Sequence, residues 1–402
     1  MHIMKRNTVK GFFLMQIHRV VRGESIFGIA RRYGISPACI IEVNGIENPD
    51  VLAVGQELLI LTPSRVYTAR SGETVESVAR RFNIKKDEIY AANPQLLCED
   101  KLYDGQAISL GYGDTRLGMA ASCGYVFAGC SEEALRRAIP YLTYLSVGEV
   151  AVRGGTVERL FDGEWALRLA KKHGKVPILR VFLDGCGERY GDGESFAEEL
   201  TALARERGYS GLMLSVPECS VEQEIYEKFI LELRRCMIGS GLILFCEAVC
   251  ERDHRYADLA DGCVLSCGAA DGDRRGYERR EFEKYAAESE SSKTFMDITS
   301  FAMIDGEYAD CSEAVRRAAK VGAEISYDPL RGVCGYSYHG RGGEVVSVEF
   351  ESLENIKAKL ELLGELGYMG IGFDVGRTPI AHLAAYSALF SGICYTSIFG
   401  QI

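Results

Sequence analysis

Several ingredients are scarce in this chain, and each shortage excludes something. One tryptophan and nine prolines stand among 402 residues, so there is no Pro-rich or low-complexity tract and the whole length has to be read as folded domains. No apolar stretch approaches the ~18 residues of a membrane-spanning helix. Positive charge is in deficit, with a formal net charge of −11. That argues against nucleic acid as a partner and leaves no polybasic patch for a membrane. The six histidines (His2, His18, His173, His254, His339, His382) form no ligand-spaced pair, so no metal site is expected. No Gly-rich strand–turn–helix fingerprint for a dinucleotide occurs either, so no cofactor is expected. The N-terminal segment Met1 to Ile17 has only Gly11 to Met15 as an apolar core and no small-residue cleavage site. Synthesis in the cytoplasm without export is the expectation.

Cysteine, by contrast, is abundant. The fourteen cysteines include Cys246/Cys250 and Cys263/Cys267, which are not Cys-x-x-Cys zinc pairs. The plain reading is small buried hydrophobes in a reducing compartment. The alternative is cross-linking after release into an oxidising layer.

The first hundred residues repeat. His18 to Ile35 matches Tyr67 to Ile84, and Gly23/Gly72, Ala30/Ala79 and Asn44/Asn93 are each 49 positions apart. Each copy reads as a strand ending in Gly, a hydroxyl cap (Ser25 or Thr74), and a helix with an apolar stripe. A second short helix then ends at Asn44 or Asn93, and a returning strand follows at Glu57 to Leu61 or Ala107 to Leu110. The pattern is βααβ, over residues 16–62 and 65–111.

The Gly-Glu-Ser/Thr, Ala-Arg-Arg-Tyr/Phe, Asn and Gly-Gln landmarks of both copies resemble the LysM family. That resemblance implies binding of N-acetylglucosamine-containing glycans, in peptidoglycan or chitin. It places the groove between two loops: Gly23, Glu24, Ser25 and Ile26 with Asn48, Pro49, Asp50 and Val51 in the first copy; Gly72, Glu73, Thr74 and Val75 with Pro94, Gln95 and Leu96 in the second. Backbone groups of Gly-rich turns can bond an acetamide while flanking apolar side chains cover its methyl. Capping and turn formation alone would also account for Ser25, Thr74 and the glycines.

From residue 116 to 402, apolar strand-like runs alternate with helical ones. The strand-like runs are Leu117 to Phe127, Tyr144 to Val152, Val176 to Leu183, Gly211 to Val216, Gly241 to Val249, Gly262 to Cys267, Thr294 to Ile298, Ala323 to Tyr327 and Gly370 to Val375. Such alternation predicts a parallel sheet, best a closed (β/α)8 barrel with one insertion, with an open doubly wound sheet as the rival. The insertion is expected at Tyr327 to Glu351, as a β-hairpin.

This half resembles family-18 glycoside hydrolases, in particular the LysM-bearing branch associated with spore cortex lysis and germination. The residues that carry the likeness are Ile139 to Ser146, Gly208 to Gly211, Tyr327 to Leu330, Val348 to Ser352, Ile356 to Leu360 and Glu365 to Phe373. The family's catalytic motif is Asp-Gly-x-x-x-Asp-x-Glu at a strand end. Its Glu protonates the glycosidic oxygen, and its second Asp orients the substrate acetamide that acts as nucleophile, a departure from the two-carboxylate plan. In this chain the motif falls on Ser210, Gly211, Ser215 and Pro217, so both catalytic carboxylates are missing. Glu218 comes one position late, on the opposite face of a regular strand. The family's Tyr-Asp falls on Cys267-Gly268, and the aromatic floor of its sugar subsite falls on Asp374.

The expectation is a spore-associated, cell-wall glycan-binding protein with a non-catalytic barrel, its protein partners drawn from the spore coat or cortex. The alternative is an N-acetylglucosaminidase acting on cortex peptidoglycan, with Pro217 bulging the strand so that Glu218 turns inward as the acid.

Overall fold

The computed structural model describes residues 15–112, 116–153, 156–183, 193–215, 223–249, 259–266, 279–288 and 291–392. In the first repeat, strands Met15–Arg19 and Glu57–Leu61 pair antiparallel around helices Ile26–Tyr33 and Pro37–Asn44. The Ser25 hydroxyl accepts from the Gly28 amide at 3.2 Å and starts the first helix, while Gly34 at φ +68° ends it. The second repeat has the same plan, with strands Val66–Thr68 and Ala107–Ser109 and helices Val75–Phe82 and Lys86–Ala91.

The repeated asparagine has a physical reason. The Asn44 amide donates to the carbonyls of Ile40 and Leu59 at 2.9 Å each and accepts from the Leu59 amide at 2.7 Å. Asn93 does the same with Ile89 and Ser109. One side chain thus closes a helix end and fastens it to the returning strand by bonding backbone groups of both.

The larger part is an eight-stranded parallel barrel: Gly118–Tyr125, Tyr144–Arg153, Val176–Leu183, Gly211–Ser215, Ile243–Val249, Gly262–Ser266, Thr294–Asp297 and Gly370–Asp374. It closes because the first strand pairs with both the second (Cys123 opposite Tyr144) and the eighth (Ile371 opposite Ser122). The interior is packed rather than hollow: Tyr144, Phe245 and Phe295 are fully buried, with Tyr144 and Phe245 edge to face at 4.9 Å. Thr156–Phe161 adds an antiparallel arm to the second strand.

One expectation needs correcting. The run at 323–327 is not a barrel strand, and the insertion is longer than the hairpin at 327–351. Ser326–Asp328 pairs antiparallel with Val333–His339, and Ala302–Ile304 pairs with Val345–Glu351. These strands and Glu307–Ala309 form a five-stranded antiparallel sheet. The helix Cys311–Val321, which alternation alone makes a barrel crossover, covers that sheet instead. Its Ala314 and Ala318 are fully buried in a cluster with Val348 and Phe350. A lone hairpin would leave its apolar face in water, and the added strands and helix remove that exposure.

The first module is docked on this insertion. The Ile325 amide donates to the Val54 carbonyl at 2.8 Å. Gly55 sits at φ +84°, where an added Cβ would lie 2.0 Å from the Ile325 carbonyl oxygen, so only glycine permits the approach.

Candidate functional site

At the C-terminal mouth of the barrel, where catalytic groups of such barrels gather, the fourth strand ends in Ser215. Its hydroxyl donates to Glu247 Oε2 at 2.6 Å, across from the fifth strand. Arg180 of the third strand pairs with the same Glu247 oxygen, lies 3.6 Å from Glu149 of the second strand, and reaches Ser215 Oγ at 3.4 Å. Its guanidinium sits over the rings of Phe182 (4.8 Å) and Phe127 (4.9 Å). Arg180 is nearly fully buried, so its charge is stable there only because the two glutamates and the rings compensate it. Burial also holds the carboxyl of Glu149 above the usual range, against the pull of Arg180.

Asp297 ends the seventh strand. Its carboxylate accepts from the Thr299 amide at 2.7 Å and the Thr299 hydroxyl at 2.6 Å. Enclosure in the barrel pushes it up to about 6. A raised carboxyl favours the fold below the unfolded-state value near 4, and that advantage is lost as pH rises through 6. Asp297→Asn is therefore expected to gain about 1–2 kcal/mol at pH 7.5 after allowance for the open part of the residue, with no gain at pH 4. Urea unfolding at the two pH values checks this; equal stabilities at pH 7.5 would contradict it.

The positions singled out from the sequence are distributed as follows. Ser210 lies just before the fourth strand, at its N-terminal end, where its amide donates to the Pro177 carbonyl at 2.8 Å. It is at the opposite end of the barrel from the mouth. Asp374 is buried and folds back on its own turn: Oδ1 accepts from the Gly376 amide at 2.8 Å, and Oδ2 lies 3.5 Å from Arg377. Pro217, Glu218 and Cys267 fall outside the described residues. Sequence reasoning missed Arg180, Glu247, Glu149 and Asp297. Its usable signal was a lone charge inside an otherwise apolar strand, as in Val176–Leu183 and Ile243–Val249, because such a charge needs a partner.

In the two repeats, the carboxylates of Glu24 and Glu73 are taken up internally. Glu24 accepts from the Val21 amide (3.0 Å) and pairs with His18 and Arg32; Glu73 accepts from the Arg70 amide (2.9 Å) and the Tyr67 hydroxyl (2.8 Å) and pairs with Arg81. Those backbone amides hold both carboxyls below the usual range. Ile26 and Val75 are fully buried, and Pro94 and Leu96 are buried too. These four side chains pack inside their modules rather than covering an acetyl methyl. Gln95 and Val51 are exposed, as are two aromatics that the repeat pattern did not single out, Phe27 beside the first loop and Tyr103 in the second module.

The two grooves differ. In the second module the amides of Val75 and Glu76 are already bonded, to Asp100 O (2.9 Å) and Asp100 Oδ1 (2.8 Å). In the first, the matching amides of Ile26 and Phe27 make no hydrogen bond among the described residues.

Comparison with known proteins agrees with this architecture. The LysM domain model matches residues 18–61 and 67–111. YdhD of Bacillus subtilis (strain 168), described as a candidate sporulation-specific glycosylase, is 24% identical over 417 aligned positions, covering 91% of this chain and 97% of YdhD. The crystal structure of the spore cortex-lytic enzyme SleL from Bacillus megaterium QM B1551 superposes with a TM-score of 0.71 at 20% identity, covering 94% of this chain and 99% of SleL. A chitinase from Chromobacterium violaceum ATCC 12472 gives 0.58 at 16% identity, over 67% of this chain and 98% of its own. Residues 18–61 and 67–111 are thus two LysM domains, carried on a barrel that shares its fold with SleL and with the chitinase.

Proposed function

We propose that this chain is a peptidoglycan-binding protein of the spore or cell wall, gripping N-acetylglucosamine-containing strands through its LysM domains and using the barrel as a non-catalytic scaffold. The observation that supports the non-catalytic reading is the mouth itself. Where the resemblance calls for a carboxylate that orients the acetamide stands Ser215, its proton committed to Glu247 and Arg180 drawn in beside it. Among the described residues no carboxylate stands at that strand end to orient an acetamide, and catalysis of this kind needs groups within hydrogen-bond reach of the reacting atoms. Spore association rests on the names of YdhD and SleL. The second reading, an N-acetylglucosaminidase, is favoured by Asp297, whose raised carboxyl keeps an acid in the mouth near neutral pH.

Glycan binding is assigned mainly to the first module, whose amides at Ile26 and Phe27 are open. In a pull-down with insoluble peptidoglycan the full chain is expected to sediment. Phe27→Ala, which removes an exposed ring beside the open amides, is expected to weaken retention about tenfold. Recovery of the wild-type chain in the supernatant, where another LysM pair sediments, would refute the assignment. Asp100→Ala removes the bond to the Glu76 amide and is expected to destabilise the second module by about 1 kcal/mol, read as a lower thermal midpoint.

A further inference from the structure

Between the first LysM domain, the insertion helix Cys311–Val321 and the start of the helix Ile380–Leu389 lies a cavity of 470 Å³. That is within the ~300–1,000 Å³ of small-ligand sites. Its walls come from four separate parts of the chain: Asn48 and Val51 of the module, Val315 and Ala319 of the insertion helix, Phe350 and Leu353 beyond it, and Ala381 and His382 of the helix Ile380–Leu389. The parts are held at fixed spacing. Arg316 pairs with Glu47 at 2.6 Å, and the Leu353 amide donates to Glu57 Oε2 at 2.7 Å.

The cavity also presents His382, which is only 5% exposed. Ser300 Oγ lies 3.0 Å from His382 Nδ1 and 3.0 Å from Glu351 Oε2. The other partners of the Ser300 hydroxyl, Glu351 (itself paired with Lys359 at 2.6 Å) and the Ile298 carbonyl at 3.2 Å, are both acceptors, which assigns Nδ1 as the donor to Ser300 Oγ. Burial and the nearby Lys359 charge keep the imidazole neutral, pushed down to about 3. A neutral ring with its proton on Nδ1 carries a bare lone pair on Nε2. Among the described residues Nε2 makes no hydrogen bond, and it lies on the ring edge away from Ser300. The atom is not sealed among the buried polar groups that lack a partner; it opens on the cavity that its ring lines, where a ligand donor can take the place of solvent.

We propose that this cavity is a second glycan contact, taking one N-acetylhexosamine unit of a strand held by the first module. The inference rests on the reading of that module as a glycan binder. A sugar hydroxyl or acetamide N–H is the neutral donor that Nε2 requires, and the apolar walls suit the pyranose C–H face and the acetyl methyl. The lining also carries Glu47, Glu57, Arg316, Lys320 and Glu351, but Glu47 pairs with Arg316, Glu57 with Arg19 and Glu351 with Lys359, so most of that charge is already compensated within the protein. The loop bearing Asn48 and Val51 belongs both to the module's groove and to the cavity wall, so one strand can engage the two together.

The test uses the full chain, labelled with 15N-histidine and titrated with the N-acetylglucosamine pentamer. Calorimetry is run in parallel on the wild type, Ala319→Trp and Val315→Trp, both of which fill the cavity from the half-buried face of the insertion helix. The His382 Nε2 resonance is expected to shift as the acceptor gains a hydrogen bond. The pentamer is expected to bind the filled variants about tenfold more weakly, and the dimer equally well in all three. A pentamer that binds all three proteins equally, with the Nε2 resonance unmoved, overturns the cavity site and leaves the module's role intact. A pentamer that does not bind the wild type overturns both. If either tryptophan variant fails to fold, the wild-type resonance still decides.

Discussion

The full-length protein, incubated with chitooligosaccharides or cortex muropeptides, is expected to release no product above the blank. Protonating a glycosidic oxygen requires a carboxylic acid aimed at it, and loss of one positioned acid typically lowers the rate by about 10²–10⁴. On the proposed reading the orienting position fails as well. Ser215 is neutral and hydrogen-bonded to Glu247, and Asp374 serves its own turn where an aromatic platform would stack a sugar. The wild type should be assayed beside Glu218→Gln, Glu247→Gln and Asp297→Asn. Wild-type turnover abolished by Glu218→Gln would establish the glycosidase reading with Glu218 as acid. Turnover abolished instead by Asp297→Asn or Glu247→Gln would place the acid on the seventh or fifth strand. Restoration is informative too, but Ser215→Asp with Pro217→Glu is not sufficient by itself. A carboxylate at 215 would face Glu247 across the 2.6 Å now bridged by the serine hydroxyl, and two such neighbours cannot both ionise. The triple change with Glu247→Gln removes that conflict and is the variant expected to gain activity, if the mouth still shapes a sugar site.

What could be read in advance followed from local, periodic constraints. Asn44 and Asn93 announced themselves by recurring, and each turned out to fasten a helix end to a strand. The apolar runs at 176–183 and 211–215 mark buried parallel strands because no polar face is left for water. The run at 323–327, Ala-Glu-Ile-Ser-Tyr, alternates instead, as a strand with one wet face does, and its partner is Val333–His339 rather than a barrel strand. A short strand-like run does not specify its partner, and the choice is made by the sheet and helix packed around it. The mouth was only half legible for a related reason. Ser215 and Asp374 could be placed by motif, whereas Arg180, Glu149 and Glu247 come from three different strands and meet only once the barrel has closed. His382 gave no signal at all as one of six scattered histidines, because its free nitrogen is defined by Ser300 and Glu351, remote in sequence.

Lys359→Met is expected to be the most damaging single substitution considered for stability. Lys359 Nζ lies 2.6 Å from Glu351 Oε1, with side chains 3% and 0% exposed, and rests 4.7 Å from the ring centre of Phe282. The pair joins the last strand of the insertion to the helix Leu353–Leu366. Methionine keeps much of the lysine stem's volume, so the packing loss is small. The electrostatic loss is not. Glu351 would keep only neutral donors, Asn355 Nδ2 at 2.8 Å and Ser300 Oγ at 3.0 Å. Breaking one side of such a buried pair costs about 3–5 kcal/mol because the remaining charge is uncompensated. Burial already raises the Glu351 carboxyl, and Lys359 is the main force opposing it. Without the lysine the carboxyl rises further, and a raised carboxyl is tolerated at low pH and penalised as pH increases. The deficit in denaturant unfolding should therefore be larger at pH 7.5 than at pH 4.5. Adding Glu351→Gln removes the stranded charge while keeping an acceptor for Asn355, so the double variant should recover more than half of the loss. A single variant within 1 kcal/mol of wild type, or a double variant no better than the single, would show that the pair does not hold the insertion to the barrel. Because Ser300 and His382 are oriented through Glu351, the same double variant should also weaken pentamer binding while sparing the dimer, which separates the network's structural role from its place at the edge of the cavity.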